Sequence, residues 1–418
     1  MMEGWKKVRL GDFANITMGQ SPPSKDYNSE GRGLPFYQGK TEFGEYYPSI
    51  AQYSTSGNKK AENGDILFTV RAPVGELNIS NCHCIIGRGL ASIRAKENKH
   101  QRFLYYLLKI SRTEFESRSY GAVYDAINAK DLKNSELLIP KEESLIEKIA
   151  SILTAYDDLI ENNLKRIKLL GEKAQLTYEE WFVRMKFPGH ETTPINKETG
   201  LPEGWEKKKI NEIADFQNGY AFYTKGYSDY GYAVIDLANV SEWGDLNITG
   251  KEKFISEELY ESLPKFHLQK YDIIIAMTDV TSALRILAKS AIIDKDNTYA
   301  LNQRVGMLRP NTDLFDYSFL YALLGDIRFI ERMKAMSKGA VQFYFNTKDI
   351  VNYETFVPSK EIIDEFVKQY KPILELRMKL KDQNKSLKEA RDILLPRLMT
   401  GMIDVEQMNL ENLQPTNA

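Results

Sequence analysis

Three short segments carry residue types that could do chemistry, and each lacks a part that the chemistry needs. Gly39–Thr41 resembles the end of a phosphate-binding loop, but Gly33 stands one residue too early for its first glycine. Ser21–Ser24 resembles the Pro-Pro motif of amino-methyltransferases without the amide or acid and the aromatic that the motif needs. Asn81–Cys84 offers too few metal ligands, and its two cysteines fit one face of a strand. The sequence therefore predicts no metal site, no bound cofactor and no catalysis by this chain.

The chain contains one segment twice, and this repeat defines its organisation. The twenty residues from Gly121 to Pro140 return as Gly339 to Pro358, at a constant shift of 218 and with nine identical positions. Solenoid repeats have periods of about 20–50 residues, so a shift this large indicates two copies of one domain. Two copies of one binding surface would suit a ligand that repeats along an axis.

Further landmarks extend the repeat toward the beginning of each copy. The matching pairs are Trp5 and Trp205, Gly19 and Gly219, Asp65 and Asp272, and Phe103 and Phe319. Between these landmarks the copies diverge, and the shift grows from 200 to 218 because the second copy carries small insertions. A shared skeleton with variable intervening segments predicts one fold with two different specificities, in which both tryptophans anchor a core.

Local patterns predict that each copy is a mixed α/β domain with a curved sheet. Apolar or alternating runs predict strands over Asp65–Val70, Cys84–Arg94 and Ile273–Met277. Short helices are predicted over Phe103–Ile110 and Phe319–Leu324.

Each copy is followed by a long helical segment with apolar residues at alternating spacings of three and four. The two sets correspond at a shift of 220: Leu153, Tyr156, Ile160, Asn163, Ile167, Leu170 and Ala174, and Ile373, Leu376, Leu380, Gln383, Leu387, Ala390 and Leu394. This heptad pattern predicts that the helices pair with each other as an antiparallel coiled coil, although it would also fit helices packed only on their own domains. The two amides, Asn163 and Gln383, are predicted to meet and to fix the register of the helix pair.

The totals fit a soluble two- or three-domain protein without excluding a nucleic-acid ligand. The 418 residues include 42% hydrophobic and 27% charged residues, and the formal net charge is −2. This charge argues weakly against nucleic-acid binding, unless the basic groups are concentrated on one face. Two cysteines and the lack of a long apolar run predict a cytoplasmic protein without a membrane segment.

The order of these motifs resembles the specificity subunit of type I restriction–modification systems. The resemblance is carried by the duplication, by Thr199–Trp205 at the end of a linker, by Thr177–Phe182, and by Ala390–Gly401. In the first copy it is also carried by the pattern from Gly19 to Lys40. It covers about residues 3–404, and the order of the motifs is more specific than any one of them.

The resemblance implies two homologous target recognition domains separated by two long antiparallel helices with pseudo-twofold symmetry. The implied bounds are 1–140 for the first recognition domain, 141–186 for the first spacer helix, 187–204 for a linker, 205–358 for the second recognition domain, 359–400 for the second spacer helix and 401–418 for a tail. Each domain would bind half of a split, asymmetric sequence in double-stranded DNA. The helices would set the gap and dock two modification subunits, which bind S-adenosylmethionine and methylate adenine. Restriction subunits, where present, would use ATP and Mg.

Polar, aromatic and basic residues in loops or at strand ends are the candidate DNA contacts. In the first copy they are Gln20, Ser21, Lys25, Gln38, Lys40, Arg71, Arg88, Tyr120 and Tyr124; in the second they are Tyr220, Tyr223, Lys225, Thr278, Asp279, Arg304, Lys338, Gln342 and Tyr344. By sequence alignment of the copies, Arg71 falls opposite Thr278, and Arg88 falls opposite Arg304 in what would be a shared phosphate contact. Each candidate also fits an ordinary solvated loop residue.

Other residues and other functions fit the sequence as well. Asn128, Asp131, Asn346 and Asp349 are predicted to cap local backbone rather than to contact bases. Trp181 and Phe182 fit either a core or a partner surface. The alternative functions are a self-sufficient DNA methyltransferase or endonuclease with an unrecognised site, and a scaffold whose two domains bind proteins.

Overall fold

A computed structural model describes residues 4–119, 126–250, 252–311, 315–339 and 342–405, which belong to two compact units. Unit 1 comprises residues 1–163 and 382–418, and unit 2 comprises residues 164–381. Each unit thus contains one copy of the repeat together with part of each long helix. Within the described ranges, no helix combines the length and the apolar character that a membrane span requires.

The described residues of unit 1 form three sheets and include the beginning of the first long helix. Its elements are β1 (Trp5–Arg9), α1 (Leu10–Phe13), β2 (Ala14–Met18), β3 (Tyr27–Asn28), β4 (Leu34–Tyr37), β5 (Tyr53–Ser54), β6 (Lys60–Ala61), β7 (Ile66–Thr69), β8 (Leu77–Ile79), β9 (Cys84–Ile86), β10 (Leu90–Ala95), α2 (Gln101–Ile110), α3 (Arg112–Ser119), α4 (Ala129–Lys133), β11 (Glu136–Pro140) and α5 (Glu143–Tyr178). The strand orders in the described part are β1-β11, β2-β10-β7-β8 and β3-β5-β4-β9-β6. Most neighbouring strands are antiparallel, while β4 and β9 are parallel.

Unit 2 repeats this plan with a few additions. Its elements are β12 (Glu206–Lys209), β13 (Ala214–Asn218), β14 (Tyr227–Ser228), β15 (Tyr232–Ile235), β16 (Lys253–Ile255), α6 (Glu257–Glu261), β17 (His267–Leu268), β18 (Ile273–Ala276), β19 (Thr278–Asp279), β20 (Ser290–Ile292), β21 (Tyr299–Leu301), β22 (Val305–Pro310), α7 (Tyr317–Leu324), α8 (Ile327–Met336), β23 (Phe343–Tyr344), α9 (Thr347–Val351), β24 (Glu354–Val357) and α10 (Lys360–Met399). The sheets are β12-β24, β13-β22-β18-β20, β14-β16-β15-β21-β17 and β19-β23.

The three sheets of unit 1 correspond strand for strand to three of the sheets of unit 2, which confirms the predicted pair of homologous mixed α/β domains. The parallel pair β4 and β9 has its counterpart in β15 and β21. A buried carboxylate holds an arginine of the neighbouring strand in each unit: Asp65 Oδ1 accepts from Arg94 Nε at 2.5 Å, and Asp272 Oδ1 from Arg309 Nε at 2.7 Å. These ion pairs fix the equivalence of β7 with β18 and of β10 with β22.

The single strand predicted over Cys84–Arg94 is wrong, because this segment forms two strands in different sheets. Strand β9 pairs with β4 and β6, whereas β10 pairs with β2 and β7. The turn 87–89 joins them, and its two glycines lie against Gln38, where a Cβ atom on Gly87 would be 2.4 Å from Oε1. The glycines therefore let the chain leave one sheet beside the backbone of another.

The cores of the two units contain the predicted tryptophans. Trp5 packs in the unit 1 core with α2, β7 and β10, and Trp205 packs in the unit 2 core. Trp181 and Phe182, which the sequence left open, also belong to the unit 2 core. They lie in a π-helical turn, Glu179–Val183, that follows α5.

Segments of α5 and α10 pack antiparallel within unit 1. Asn163 Nδ2 donates to Asn384 Oδ1 at 2.9 Å, and Asn384 Nδ2 donates to the carbonyl oxygen of Ile160 at 3.3 Å. Six residues before Asn163 on α5, Asp157 pairs with Arg391 of α10. The predicted partner of Asn163 was Gln383; this is a correction, because Gln383 is exposed and the next residue carries the buried amide.

The register error has a physical cause on α10. The inner positions include Arg377, Asn384 and Arg391, which are spaced by seven residues and are 13% (side chain), 5% and 5% exposed. The predicted stripe is based on apolar residues, so it contains the residue before each of these three instead. On α5 the predicted stripe is right at Leu153, Ile160, Asn163 and Ala174, all of which are buried.

Candidate nucleic-acid interface

The surface that we call the rim of the first domain consists of Gln20, Ser21, Gln38 and the turn 87–89. The turn presents Arg88 to solvent. Arg88 is exposed, and its backbone N–H donates to Ser21 Oγ at 3.2 Å. Ser21 Oγ lies 2.9 Å from Gln38 Oε1, and the N–H of Gln20 donates to the carbonyl oxygen of Ile86 at 2.9 Å. The structure therefore brings Gln20, Ser21, Gln38 and Arg88 together from three separate segments.

Arg71 and Lys40 lie beside the same turn but differ in how free their charges are. The N–H of Val70 donates to the carbonyl oxygen of Gly89 at 2.9 Å, which places the exposed Arg71 next to the turn. Lys40 is also exposed, but its Nζ lies 2.7 Å from Glu76 Oε1. The charge of Lys40 is thus partly compensated within the domain.

The three other candidates of the first domain are Lys25, Tyr120 and Tyr124. Lys25 is exposed on the short helical turn Ser24–Asp26. Tyr120 and Tyr124 lie outside the described residues, so their predicted contacts stay predictions.

Backbone pairing in the second domain brings several candidates together. Tyr220 accepts from the N–H of Gln303 at 2.9 Å, and the carbonyl oxygen of Arg304 accepts from Met277 at 3.1 Å. Lys338 and Tyr344 exchange backbone hydrogen bonds of 2.8 and 3.0 Å. The N–H of Phe345 in turn donates to Met277 at 3.3 Å, so this hairpin lies close to Arg304.

The remaining candidates of the second domain are exposed to different degrees. Tyr223 is 76% exposed, and Lys225 is exposed on the turn that follows it. Gln342 is half-buried in the Lys338–Tyr344 hairpin. Tyr344 is 41% exposed, which leaves its ring accessible to a ligand.

Asp279 is not free to contact a base, which corrects its prediction as a DNA contact. It is 2% exposed, and its carboxylate accepts from the N–H groups of Thr281 at 2.8 Å and Ile286 at 2.9 Å. Burial alone would raise the pKa of Asp279, but these amides and the Thr281 hydroxyl outweigh it and hold the pKa below its ordinary value. Its role is to order the loop 279–286.

Thr278 is also a weaker candidate than its position suggested. Its alignment with Arg71 is right, because Thr278 pairs with Tyr344 where Arg71 pairs with Ala126. Its hydroxyl is buried, however, and has no hydrogen-bond partner within the described ranges. The side chain therefore turns away from solvent where Arg71 projects into it.

The predicted equivalence of Arg88 and Arg304 is wrong by one residue. Leu90 pairs with Thr69, and Val305 pairs with Ala276, so β10 and β22 correspond at a shift of 215. Arg88 therefore corresponds to Gln303, and Arg304 to Gly89. A shared phosphate contact by the two arginines is no longer supported, because they occupy different places on their domains.

Two residues of the second rim escaped sequence reasoning. The parallel pairing of β4 with β9 and of β15 with β21 makes Asp236 the counterpart of Gln38. Gln303, the counterpart of Arg88, is exposed. Neither belongs to a motif, and only the strand register shows their positions.

Three potential metal ligands of unit 1 lie close together, but a lysine already neutralises part of their charge. Glu97, His100 and Glu143 place one potential ligand atom each within 4.8 Å of one another. Lys99 contacts Glu143, and its Nζ lies 3.8 Å from Glu97 and 3.5 Å from Glu147. The Lys99 ammonium group thus forms ion pairs with these carboxylates.

Of the four residues predicted to cap local backbone, Asn128 and Asp349 do so, whereas Asp131 accepts from the side-chain amide of Asn128 at 2.6 Å. Asn128 Oδ1 accepts from the N–H groups of Lys130 and Asp131 at 2.9 and 3.0 Å. Asp349 accepts from the N–H of Asn346 at 2.8 Å. These bonds satisfy backbone groups at the starts of α4 and α9.

Comparison with known proteins places this architecture in a defined class. The family model of the type I restriction modification DNA specificity domain matches residues 2–170 and 202–385, one match for each copy of the repeat. The chain belongs to this family.

Individual relatives and a solved structure agree with the assignment. The putative type I restriction enzyme MjaX specificity subunit of Methanocaldococcus jannaschii is 44% identical over 176 residues, which are 41% of this chain and 41% of that relative. The MjaIX specificity subunit of the same organism is 25% identical over 431 residues, which cover 97% of this chain and 94% of the relative. The crystal structure of a type I restriction–modification S subunit from M. genitalium has the same fold, with a TM-score of 0.59 at 17% identity over 94% of this chain and 96% of that one.

Proposed function

We propose that this chain is the DNA sequence-recognition subunit of a type I restriction–modification complex. Each recognition domain binds one half of a bipartite, asymmetric site in double-stranded DNA. The chain itself is not catalytic, and it acts in the cytoplasm.

The observation that carries this proposal is the contrast between a shared framework and different rims. The sheets correspond strand for strand, down to the Asp65–Arg94 and Asp272–Arg309 ion pairs. At equivalent rim positions, however, Gln38 and Arg88 are replaced by Asp236 and Gln303. Base edges are distinguished by their patterns of donors and acceptors, so rims of different chemistry should select different sequences.

The catalytic parts would come from partner subunits. Two modification subunits would bind S-adenosylmethionine and methylate adenine, and restriction subunits, if present, would use ATP and Mg. The net charge of −2 fits a shared interface in which the partners supply part of the basic surface.

The helices are suited to act as the spacer between the two half-sites. α5 has 36 residues and α10 has 40, and each continues from one unit into the other. In unit 1 the Asn163–Asn384 bond opposes sliding of one helix along the other, because a shift would leave both buried amides unpaired.

Methylome sequencing tests this function. The chain and a cognate modification subunit are expressed in a host without adenine methylation of its own, and the modification subunit alone is the control. We expect methylated adenines in one asymmetric sequence of two parts with a constant gap, and only when both subunits are present. Methylation without sequence preference would contradict the proposal and favour a scaffold, and methyl transfer by the purified chain alone would favour an enzyme.

A further inference from the structure

Gln38 and Asp236 stand at the same place in the two domains but have different hydrogen-bonding chemistry. The residue before each ends a strand, and its carbonyl oxygen accepts from the residue that follows the parallel neighbouring strand: Gly87 donates to Tyr37 at 2.8 Å, and Asn302 donates to Ile235 at 3.0 Å. The backbones are therefore equivalent. What differs is the side chain, an amide in the first domain and a carboxylate in the second.

A chain of hydrogen bonds orients the amide of Gln38. Ser21 Oγ accepts from the N–H of Arg88, so its own hydrogen is available to Gln38 Oε1, 2.9 Å away. Because Oε1 is occupied by this hydroxyl, the NH2 group remains for an external ligand. No described residue accepts a hydrogen bond from it.

The glycines of the turn 87–89 hold this amide in place. A Cβ atom on Gly89 would lie 2.5 Å from the carbonyl oxygen of Gln38, so the turn packs directly on the Gln38 backbone. Arg88 lies between the two glycines and is exposed, and no described residue accepts a hydrogen bond from its guanidinium group. The rim of the first domain thus offers donors at two adjacent points.

The second domain offers an acceptor at the corresponding point. Asp236 caps the short helical turn Leu237–Asn239, and its Oδ1 accepts from the N–H of Ala238 at 2.9 Å. This carboxylate is half-buried, and because a carboxylate offers about four acceptor sites, it can still accept from a ligand. Ala221 stands where the first domain has Ser21, so the hydroxyl that orients Gln38 is missing here.

We propose that Gln38 and Asp236 determine the different specificities of the two domains; this inference rests on the proposed function. Gln38, oriented by Ser21, donates to a guanine, whose major-groove edge carries the two acceptors N7 and O6. Adenine suits this rim less well, since its N6 amino group would face another donor. Asp236 accepts from the exocyclic amino group of a cytosine or an adenine.

The test compares methylation by the complete complex of this chain with its modification subunit on a plasmid library with randomised half-sites. Gln38→Glu keeps an acceptor for Ser21 and presents a second acceptor outward. We expect it to reduce preference for guanine at one position of the first half-site by about 5- to 150-fold, in favour of cytosine or adenine. Asp236→Asn should change one position of the second half-site only, and Ser21→Ala should weaken selection at the position that Gln38→Glu alters.

The untouched half-site serves as an internal control for folding. Asn98→Asp adds the same charge to the first domain on the turn before α2, and it should leave both half-sites unchanged. If the unaltered complex methylates a bipartite sequence but Gln38→Glu and Asp236→Asn change neither half, the inference is overturned while the proposed function stands. If the unaltered complex shows no sequence preference, the proposed function itself fails.

Discussion

The two recognition domains are fixed to their helix segments by different chemistry. In unit 1 an apolar core is supplemented by a buried polar contact: Asp157 and Arg391 are each 5% exposed and form an ion pair between α5 and α10. Two hydroxyl groups of the domain, from Tyr46 and Tyr106, donate to the same carboxylate at 2.8 and 2.6 Å. Burial, followed by the negative charge of Asp157, raises the pKa of both phenols, so they remain protonated donors.

In unit 2 an aromatic cluster dominates the contact between the domain and its helix segments. Phe366 of α10 is fully buried, with its ring centroid 4.7 Å from that of Phe182 and 4.8 Å from that of Tyr370. At the positions that correspond to Asp157 and Arg391 (377 − 157 = 220 and 391 − 171 = 220) stand Arg377 and Gly171. A Cβ atom on Gly171 would lie 3.5 Å from Arg377 Cζ, so the arginine packs along the glycine and extends to Asp245.

A rigid attachment of a domain to its helices requires a defined orientation and sufficient stability, and the two contacts contribute to these in different proportions. Hydrogen bonds and ion pairs are directional, so the polar contact defines how the first domain is oriented on its helices, at a cost in desolvation. Aromatic packing is less directional, but it buries a large area and supplies more of its own stability. Equivalent folds therefore tolerate different solutions at the same place, provided that the helices stay paired.

The largest effect is expected from breaking the polar contact. Arg391→Ala leaves Asp157 buried without its cation, which should lower the opening free energy of unit 1 by about 3–5 kcal/mol. Hydrogen exchange of the β7 and β10 amides measures this. Arg377→Ala is the matched variant in unit 2, where Lys381 still contacts Asp245, and it should cost only about 1 kcal/mol.

A paired replacement shows whether the charge or the packing matters in unit 1. Asp157→Asn with Arg391→Met removes both charges while an amide oxygen still accepts from the tyrosines. It should recover at least half of the loss caused by Arg391→Ala. If the paired variant is as unstable as the single one, side-chain packing and not charge pairing dominates this contact.

The aromatic contact should respond in proportion to the carbon atoms removed. Phe366→Leu deletes three buried carbons and should cost unit 2 about 2 kcal/mol, at about 0.8 kcal/mol for each. The corresponding residue of unit 1 is Ile146, and Ile146→Val deletes one carbon at a cost of about 1 kcal/mol. Exchange of the β18 and β22 amides measures the first change, and a loss below that of Ile146→Val would refute the central role of Phe366.

The sequence predicts the duplication and the long helices because both repeat over many residues. It also predicts most of the buried stripe of α5, where the inner positions are apolar apart from Asn163 and Asp157. On α10 the inner positions include Arg377 and Arg391, whose charges are balanced by Asp245 and Asp157. Those partners are distant in sequence, so hydrophobic periodicity gives no reason to place an arginine inside.

The candidate interface was predicted less well for a related reason. Loop residues such as Asp279 and Gln38 look alike in sequence, since each is polar and lies near a glycine, a strand end or both. Their roles depend on which groups the fold brings to them: the carboxylate of Asp279 is used by its own loop, while the NH2 group of Gln38 is left free. Strand register, which sets the equivalence of Arg88 with Gln303, depends in turn on pairings between distant segments.

The smallest effect concerns a polar group in the mainly aromatic contact of unit 2. Tyr321 donates its hydroxyl to the carbonyl oxygen of Gly244 at 2.6 Å, and burial, assisted by the charge of Asp245, raises the pKa of Tyr321 to about 12. Tyr321→Phe removes this bond and should cost about 1 kcal/mol at neutral pH.

Because the folded pKa of Tyr321 lies above the unfolded value of about 10, the contribution of its hydroxyl to stability is complete below pH 10 and is lost as the pH rises through about 12. The difference in unfolding free energy between the two proteins should therefore shrink over this interval, and a difference that stays constant from pH 8 to about 12 would show that the phenol does not titrate as a buried group.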